Sequence, residues 1–390
     1  MNDWPKVRLG SIVMPVERAE APILGKNYRQ IGVKLWGVGA YEREALDGGS
    51  TKYAKLFRVE ADDIIVNKIW ARNGSVAVVP EALSGCYGSA EFPMFEPKRD
   101  QLEPRWIHWI TKMRSFWEQC DEKSQGTSGK NRIRPERFLD IEIPLPPLAE
   151  QRRIVARIEE LATKIQEART LRQRAIEEGD ALIEQERAAF FIDSAKQGTL
   201  SLSEVTTLER GKFSHRPRNE LRFFGGPHPW IQIGEIESSG KYIRKWDNTL
   251  NDDGLAISKK FPKGTILISI AATIGAVGIL DFDCCIPDSI VGITPKAGID
   301  SEFLYHFLSY VRGHLETIAP QSAQKNINLQ ILAPLPVPKL PLSAQHRIVA
   351  KLDALQAEVD NLKRCQAETA VELDALLPAI LDRAFKGELL

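Results

Sequence analysis

Pro147-Leu148-Ala149-Glu150-Gln151-Arg152-Arg153-Ile154-Val155-Ala156-Arg157-Ile158-Glu159-Glu160-Leu161 recurs 194 residues later. The second copy reads Pro341-Leu342-Ser343-Ala344-Gln345-His346-Arg347-Ile348-Val349-Ala350-Lys351-Leu352-Asp353-Ala354-Leu355. Eight of the 15 positions are identical and no gap is needed, which marks an internal duplication. Both copies continue as amphipathic patterns. Ile154, Ile158, Leu161, Ile165, Ala168, Ala175 and Leu182 keep alternating four- and three-residue steps, the seam of a coiled coil. Ile348, Leu352, Leu355, Val359, Leu362, Thr369, Leu373 and Leu376 repeat that seam, and the polar interruptions Arg172 and Gln366 coincide. No proline falls between Pro147 and Pro217 or between Pro341 and Pro378, so neither helix is expected to break early. Matched registers predict two long helices that pack on each other.

Working outward, the segments before each helix also correspond. Tyr28-Arg29-Gln30-Ile31-Gly32 is similar to Trp230-Ile231-Gln232-Ile233-Gly234, and Asp62–Val66 to Lys263–Leu267. Gly74-Ser75-Val76 corresponds to Gly275-Ala276-Val277. Trp106–Ile110 answers Phe303–Phe307, each expected as a short helix, and Lys130-Asn131 answers Lys325-Asn326 before the proline-rich entries. Short β-branched runs between Gly and Pro read as strands. The expected fold is α+β: two globular mixed α/β domains separated by two long antiparallel coiled-coil helices, with a pseudo-two-fold internal repeat. The boundaries fall at 1–146 for the first domain, 147–198 for a central helical spacer, 199–338 for the second domain and 339–390 for a C-terminal helical spacer.

Composition narrows the function. With 43% hydrophobic and 27% charged residues the chain is an ordinary globular one. Basic and acidic residues balance at 52 each, which excludes a polycation but leaves room for a local basic groove. Five cysteines without a Cys-x-x-Cys pair argue against a disulfide framework or zinc ribbon. The uncharged run from Gly264 to Leu280 holds three glycines and fits two buried strands joined by a turn better than a membrane span. The N-terminus has no signal-like region, so a soluble cytoplasmic protein without membrane contact is expected.

Catalytic signatures are missing from the sequence. No Asn-Pro-Pro-aromatic or Asp-Pro-Pro-aromatic tetrad orients a base amine, and Gly126-Thr127-Ser128-Gly129-Lys130-Asn131 lacks Walker spacing. The six histidines are not spaced as metal ligands; His108 and His306 read as core or near-surface residues, and Cys284-Cys285 as a buried inert pair. Polar and basic residues do cluster at matching places. The first domain offers Lys68, Trp70 and Arg72, then Lys123, Gln125, Lys130, Asn131, Arg132 and Arg134. The second offers Lys212, His215, Arg216 and Arg218, then Gln324, Lys325 and Asn326. The polar and basic side chains suit phosphates and base edges, so all of them, Trp70 aside, are candidate DNA-binding residues.

Through Pro144–Val155, Pro334–Val349, Arg210–Arg218, Ile286–Gly292, Gln324–Ile327 and the closing Ala384–Leu389, the chain resembles the specificity subunits of type I restriction-modification systems. The resemblance implies that each globular unit is a target recognition domain reading half of a bipartite DNA site. The helices would then fix the spacer between the halves. It implies docking of two methylation subunits, and of two restriction subunits in the full complex of this host-defence system. S-adenosylmethionine, ATP and Mg would belong to those partners, and this chain would carry neither cofactor nor catalysis. Arg152, Arg153 and Arg157, with His346, Arg347 and Lys351, are the expected partner-docking residues. Three alternatives stay open from the sequence. One is a system in which methylation and cleavage share one partner chain; the others are an autonomous modification enzyme and a purely structural coiled-coil scaffold.

Overall fold

The computed structural model describes residues 4–125, 131–215, 220–319 and 326–389. The chain divides into two compact units, Met1–Arg172 with Ala367–Leu390, and Gln173–Gln366. The divisions fall after Arg172 and after Gln366, the two positions that the repeat equates.

In the first unit a four-stranded sheet runs Val13–Val16, Met94–Pro97, Ile64–Val66, Val76–Val78. The strands Ile64–Val66 and Val76–Val78 are apolar throughout because both faces are covered. Ile64, Val66, Val76, Val78 and Phe95 join a core with the helix Pro104–Ile110 and with Phe116 of the helix Arg114–Glu122. Ile65, Ala77 and Met94 point the other way, against Ile31 and Val33 of a second sheet. That sheet runs Ala19–Glu20, Leu56–Arg58, Tyr87–Gly88, Asn27–Lys34, Gly39–Asp47, with a parallel pairing at Gln30 and Tyr87.

The second unit repeats this plan. One sheet runs Thr206–Arg210, Ile290–Pro295, Ile266–Ser269, Val277–Leu280, Tyr242–Ile243. Ile266 and Ile268 face the helix Ser301–Ile318, while Leu267 faces the other way. The Gly264–Leu280 run is thus two buried antiparallel strands, as expected. The second sheet runs Asn248–Leu250, Phe224–Trp230, Cys284–Cys285, Lys260–Phe261, and its parallel pairing joins Trp230 to Cys285. Both of those cysteines are buried, and burial pushes their thiols up in pKa.

Three local expectations need correction. The parallel pairings equate Trp230 with Gln30 rather than Tyr28, and Ile233–Ser238 is helical where Ile31-Gly32 is strand. Second, Phe303–Phe307 belongs to an 18-residue helix. Its counterpart in the first unit stops at Ile110 and restarts at Arg114. Third, the C-terminal helix is interrupted at Thr369 (φ −95°, ψ 3°) and then passes straight through Pro378 to Phe385. Burial of Leu381, Ala384 and Phe385 against Trp106 offsets the hydrogen bond that the proline cannot donate.

The spacer helix Leu148–Ala195 has 48 residues, a rise of roughly 72 Å. In the first unit its early part packs antiparallel to Ala370–Phe385, with Ile154 and Ile158 in one cluster with Leu381 and Phe385, and Arg169 paired to Asp374 at 2.8 Å. In the second unit its later part packs antiparallel to Leu342–Glu368. Asp180 meets Lys363 at 2.6 Å, Glu186 meets Lys351 at 3.0 Å, and Gly179 lets Val359 come close. The seam ends one residue away from its expected place. Leu182 and Leu376 are 44% and 46% exposed, and Ile183 and Leu377 take the inner positions. Leu376 lies beyond the break at Thr369, whereas Leu182 lies four heptads from its seam's start in one unbroken helix. A helix with 3.6 residues per turn drifts about 20° per heptad from a 3.5-residue repeat, nearly one residue over that distance.

Candidate nucleic-acid interface

In the first unit, three segments meet at the end of the central sheet. The Lys68 N–H donates to the Glu91 carbonyl at 3.1 Å, and the Lys68 carbonyl accepts from the Ile133 N–H at 2.9 Å. Gln125 and Arg132 exchange backbone hydrogen bonds of 3.1 and 3.0 Å. Arg132 Nη1 then lies 3.5 Å and Lys68 Nζ 3.9 Å from the same oxygen, Glu91 Oε1. Beside them the Asn67 side chain accepts from the N–H groups of Ile69 and Trp70. This turn leaves the Trp70 ring 45% exposed. Arg134 is exposed before the helical turn Pro135–Phe138, and Asn131 is half-buried.

The other first-unit candidates stand apart. Arg72, in the 3-10 turn Ala71–Asn73, lines a separate hollow with Trp36, Trp117 and the acidic Glu118, Asp121 and Glu122. Lys123 is half-buried at the C-terminal end of Arg114–Glu122. Lys130, Arg216, Arg218, Gln324 and Lys325 lie outside the described residues.

In the second unit the Gly211 and Lys212 N–H groups donate to Ile290 and Ile286, and a side-chain carbon at Gly211 would sit 2.2 Å from the Pro287 carbonyl. Only glycine fits there, and it leaves Lys212 exposed at the sheet edge. His215 pairs with Glu220 and lies 4.8 Å from the Phe223 ring. The Ile327 N–H donates to the Ile270 carbonyl at 2.9 Å, as that of Ile133 does to Lys68. This shared bond corrects the sequence pairing by one residue: exposed Asn326 is the counterpart of Arg132, not of Asn131. Ile270 likewise donates to Ser289, so Ser289 is the counterpart of Glu91. Glu91 is not among the sequence candidates. Its signal there is indirect: Ile286–Gly292 stands out in the second domain, and 89–91 is the matching turn.

Each unit is fastened to the start of its long helix by a buried glutamine. Gln151 Oε1 accepts from the Glu103 N–H at 2.9 Å, and Nε2 donates to the carbonyls of Gln101 and Pro146, both at 2.8 Å. Gln345 repeats all three bonds with Asp300, Gly298 and Leu340, each at 2.9 Å. The expected docking residues surround these clamps. Arg152 meets Glu103 at 3.1 Å and His346 meets Asp300 at 3.5 Å, while Arg153 and Arg157 pair with Glu150 and Glu160 on their own helix. Arg347 is exposed, and Lys351 pairs with Glu186 and lies over the Phe190 ring.

One turn further on, the units solve a charge problem differently. Arg105 meets Glu159 at 2.6 Å in the first unit. The corresponding pair in the second, Glu302 and Asp353, is doubly acidic, and Lys241 bridges the two. Burial works against the Lys241 charge, but hydrogen bonds to Asp353 and Glu302 outweigh it and raise its pKa. His306 is buried, and that burial pushes its pKa down to about 4 although it bonds Asp353 at 2.9 Å. It is neutral at pH 7, donating from Nε2, and serves the core as the sequence suggests.

Among the described residues, no helix is long and apolar enough to cross a membrane, and no group of three or more His, Cys, Asp or Glu could hold a metal ion.

The family profile of the Type I restriction modification DNA specificity domain matches residues 1–177 and again 197–372. The EcoDI type I restriction enzyme specificity subunit of Escherichia coli is 23% identical over 323 residues, covering 74% of this chain and 70% of that protein. The crystal structure of the HsdS subunit from Thermoanaerobacter tengcongensis is 26% identical, with a TM-score of 0.62 over 100% of this chain and 98% of the other. A chain from a structural study of complex assembly and conformational transition in the type I R-M system is 25% identical. Its TM-score is 0.76, over 100% of this chain and 99% of the other. Matched twice by one family profile and along its whole length by solved relatives, the chain belongs to the type I restriction-modification DNA specificity family and is a specificity subunit of such a complex.

Proposed function

We propose that the chain is the non-catalytic reader of a bipartite DNA target, with residues 1–146 reading one half-site and 199–338 the other. One observation carries this: the same scaffold is built twice, with the same glutamine clamp, and the two copies differ in side-chain chemistry at the same loop positions. The helical segments 147–198 and 339–390 set the spacer and dock two methylation subunits, through Arg152, Arg153 and Arg157 at one foot and His346, Arg347 and Lys351 at the other. Two restriction subunits complete the assembly in the cytoplasm. The partners supply S-adenosylmethionine, ATP and Mg, and flip and methylate the target base. With no net charge of its own, this chain leaves part of the phosphate neutralisation to them.

The test is a methylome of host cells with and without this chain. A single bipartite methylated sequence should vanish on its removal; an unchanged methylome would overturn the proposal. A second expected result concerns the loops. Lys130→Ala should weaken binding by the first domain, as Arg216→Ala or Lys325→Ala should by the second. Where the removed cation neutralises a phosphate, the slope of log affinity against log salt should fall by about one. Unchanged affinity of all three variants at two salt concentrations would remove these loops from the interface.

A further inference from the structure

The two units hold the same backbone hydrogen bonds around Lys68 and Ile270, yet the side chains there differ in kind. Lys68, Glu91 and Arg132 in the first unit stand where Ile270, Ser289 and Asn326 stand in the second. Their neighbours stay alike: Ile133 matches Ile327, and Gly74 and Gly275 share a left-handed φ of 76° and 77°. A preserved frame with exchanged chemistry is what a position that sets sequence preference requires.

Glu91 is under-satisfied in this frame. Its Oε1 is shared by two cations at 3.5 and 3.9 Å, longer than a charge-assisted hydrogen bond of about 2.7–2.9 Å. Its Oε2 is turned inward and has no hydrogen-bond partner among the described residues. A carboxylate held so loosely gains by turning toward an outside donor. It lies beside exposed Arg132, whose backbone is bridged to Gln125, and exposed Trp70 stands two residues on from Lys68. An ionised carboxylate only accepts hydrogen bonds and is repelled by phosphates, so the DNA group it suits is a base amino group in the major groove.

We infer that Glu91 is a specificity-determining residue of the first domain, accepting a hydrogen bond from the amino group of a cytosine or adenine while Lys68 and Arg132 flank it and offset its charge. The inference rests on the reading of this domain as a DNA half-site reader. At the matching place, Ser289 and Asn326 give the second domain a neutral chemistry.

The test is in vitro methylation of a library randomised in both half-sites, by the chain assembled with its methylation partner, comparing the wild type with Glu91→Gln and Glu91→Ser. Expected is a drop of roughly 10- to 100-fold in discrimination at one position of the first half-site, with the second half-site unchanged. Arg132→Ala should relax the same position. The melting temperature is measured alongside. Two outcomes would overturn the inference. One is an unchanged first half-site in both variants; the other is a lowered melting temperature with weaker methylation but unaltered preferences, which marks Glu91 as a structural residue. Loss of all sequence preference in the wild-type assembly would instead overturn the half-site reading itself.

Discussion

Gln345→Ala is expected to cost the second unit roughly 3–5 kcal/mol locally, and Gln151→Ala the same in the first. Each change strands one buried N–H and two carbonyls, because the three partners of each glutamine all belong to the backbone. Leaving a buried group unpaired costs about 1–3 kcal/mol, and water entering the gap recovers part of the total. The units respond separately, so one melting curve does not resolve the effect. Hydrogen exchange does. Gln345→Ala should deprotect residues 342–352 by about two to three orders of magnitude and leave 148–158 as before, with the reverse for Gln151→Ala. Equal deprotection of both segments, or of neither, would mean that the clamps do not fasten each unit to its helix.

Lengthening the spacer by one turn is expected to lengthen the DNA site. An insertion in one helix alone would spoil its pairing, because the early part of Leu148–Ala195 pairs with 370–385 and the later part with 342–368. Four residues must therefore be added at both crossings, after Arg172 and after Gln366, where the chain passes from one unit to the other. Four residues add about 6 Å and nearly a whole turn, so each half-seam keeps close to its face. At about 3.4 Å per base pair, the methylated sequence should keep both half-sites and gain one or two base pairs between them. A methylome of cells carrying the double insertion reads this directly. Methylation at the old spacing would show that the helices do not measure the site.

The duplication is legible because helix periodicity and the Pro-Leu-x-x-Gln entry are local signals, and local signals survive in sequence. Gln151 and Gln345 are visible as identical positions, but not as clamps, since two of the three partners of each lie 45 to 50 residues earlier in the chain. The passage through Pro378 goes against propensity because Phe385 and Leu381 are held by Trp106, which is distant in sequence. Leu182 leaves the seam through an accumulated drift that a strict heptad reading ignores. Among the candidate residues, Lys68 and Arg132 come together only through strand pairing. Glu91 completes them because a turn of the same strand layer ends there.

The first unit closes over residues that are synthesised only after the whole of the second unit. Leu381, Ala384 and Phe385 sit in one core with Trp106, Ile154 and Ile158, whereas the second unit is a single stretch, Gln173–Gln366. On the ribosome the usual order is thereby reversed: the second unit can finish while the first still waits, its Trp106 face uncovered, for the helix Ala370–Phe385. Of the two units, the one whose synthesis starts earlier becomes whole later, and a nascent chain is open to proteases and chaperones until it does.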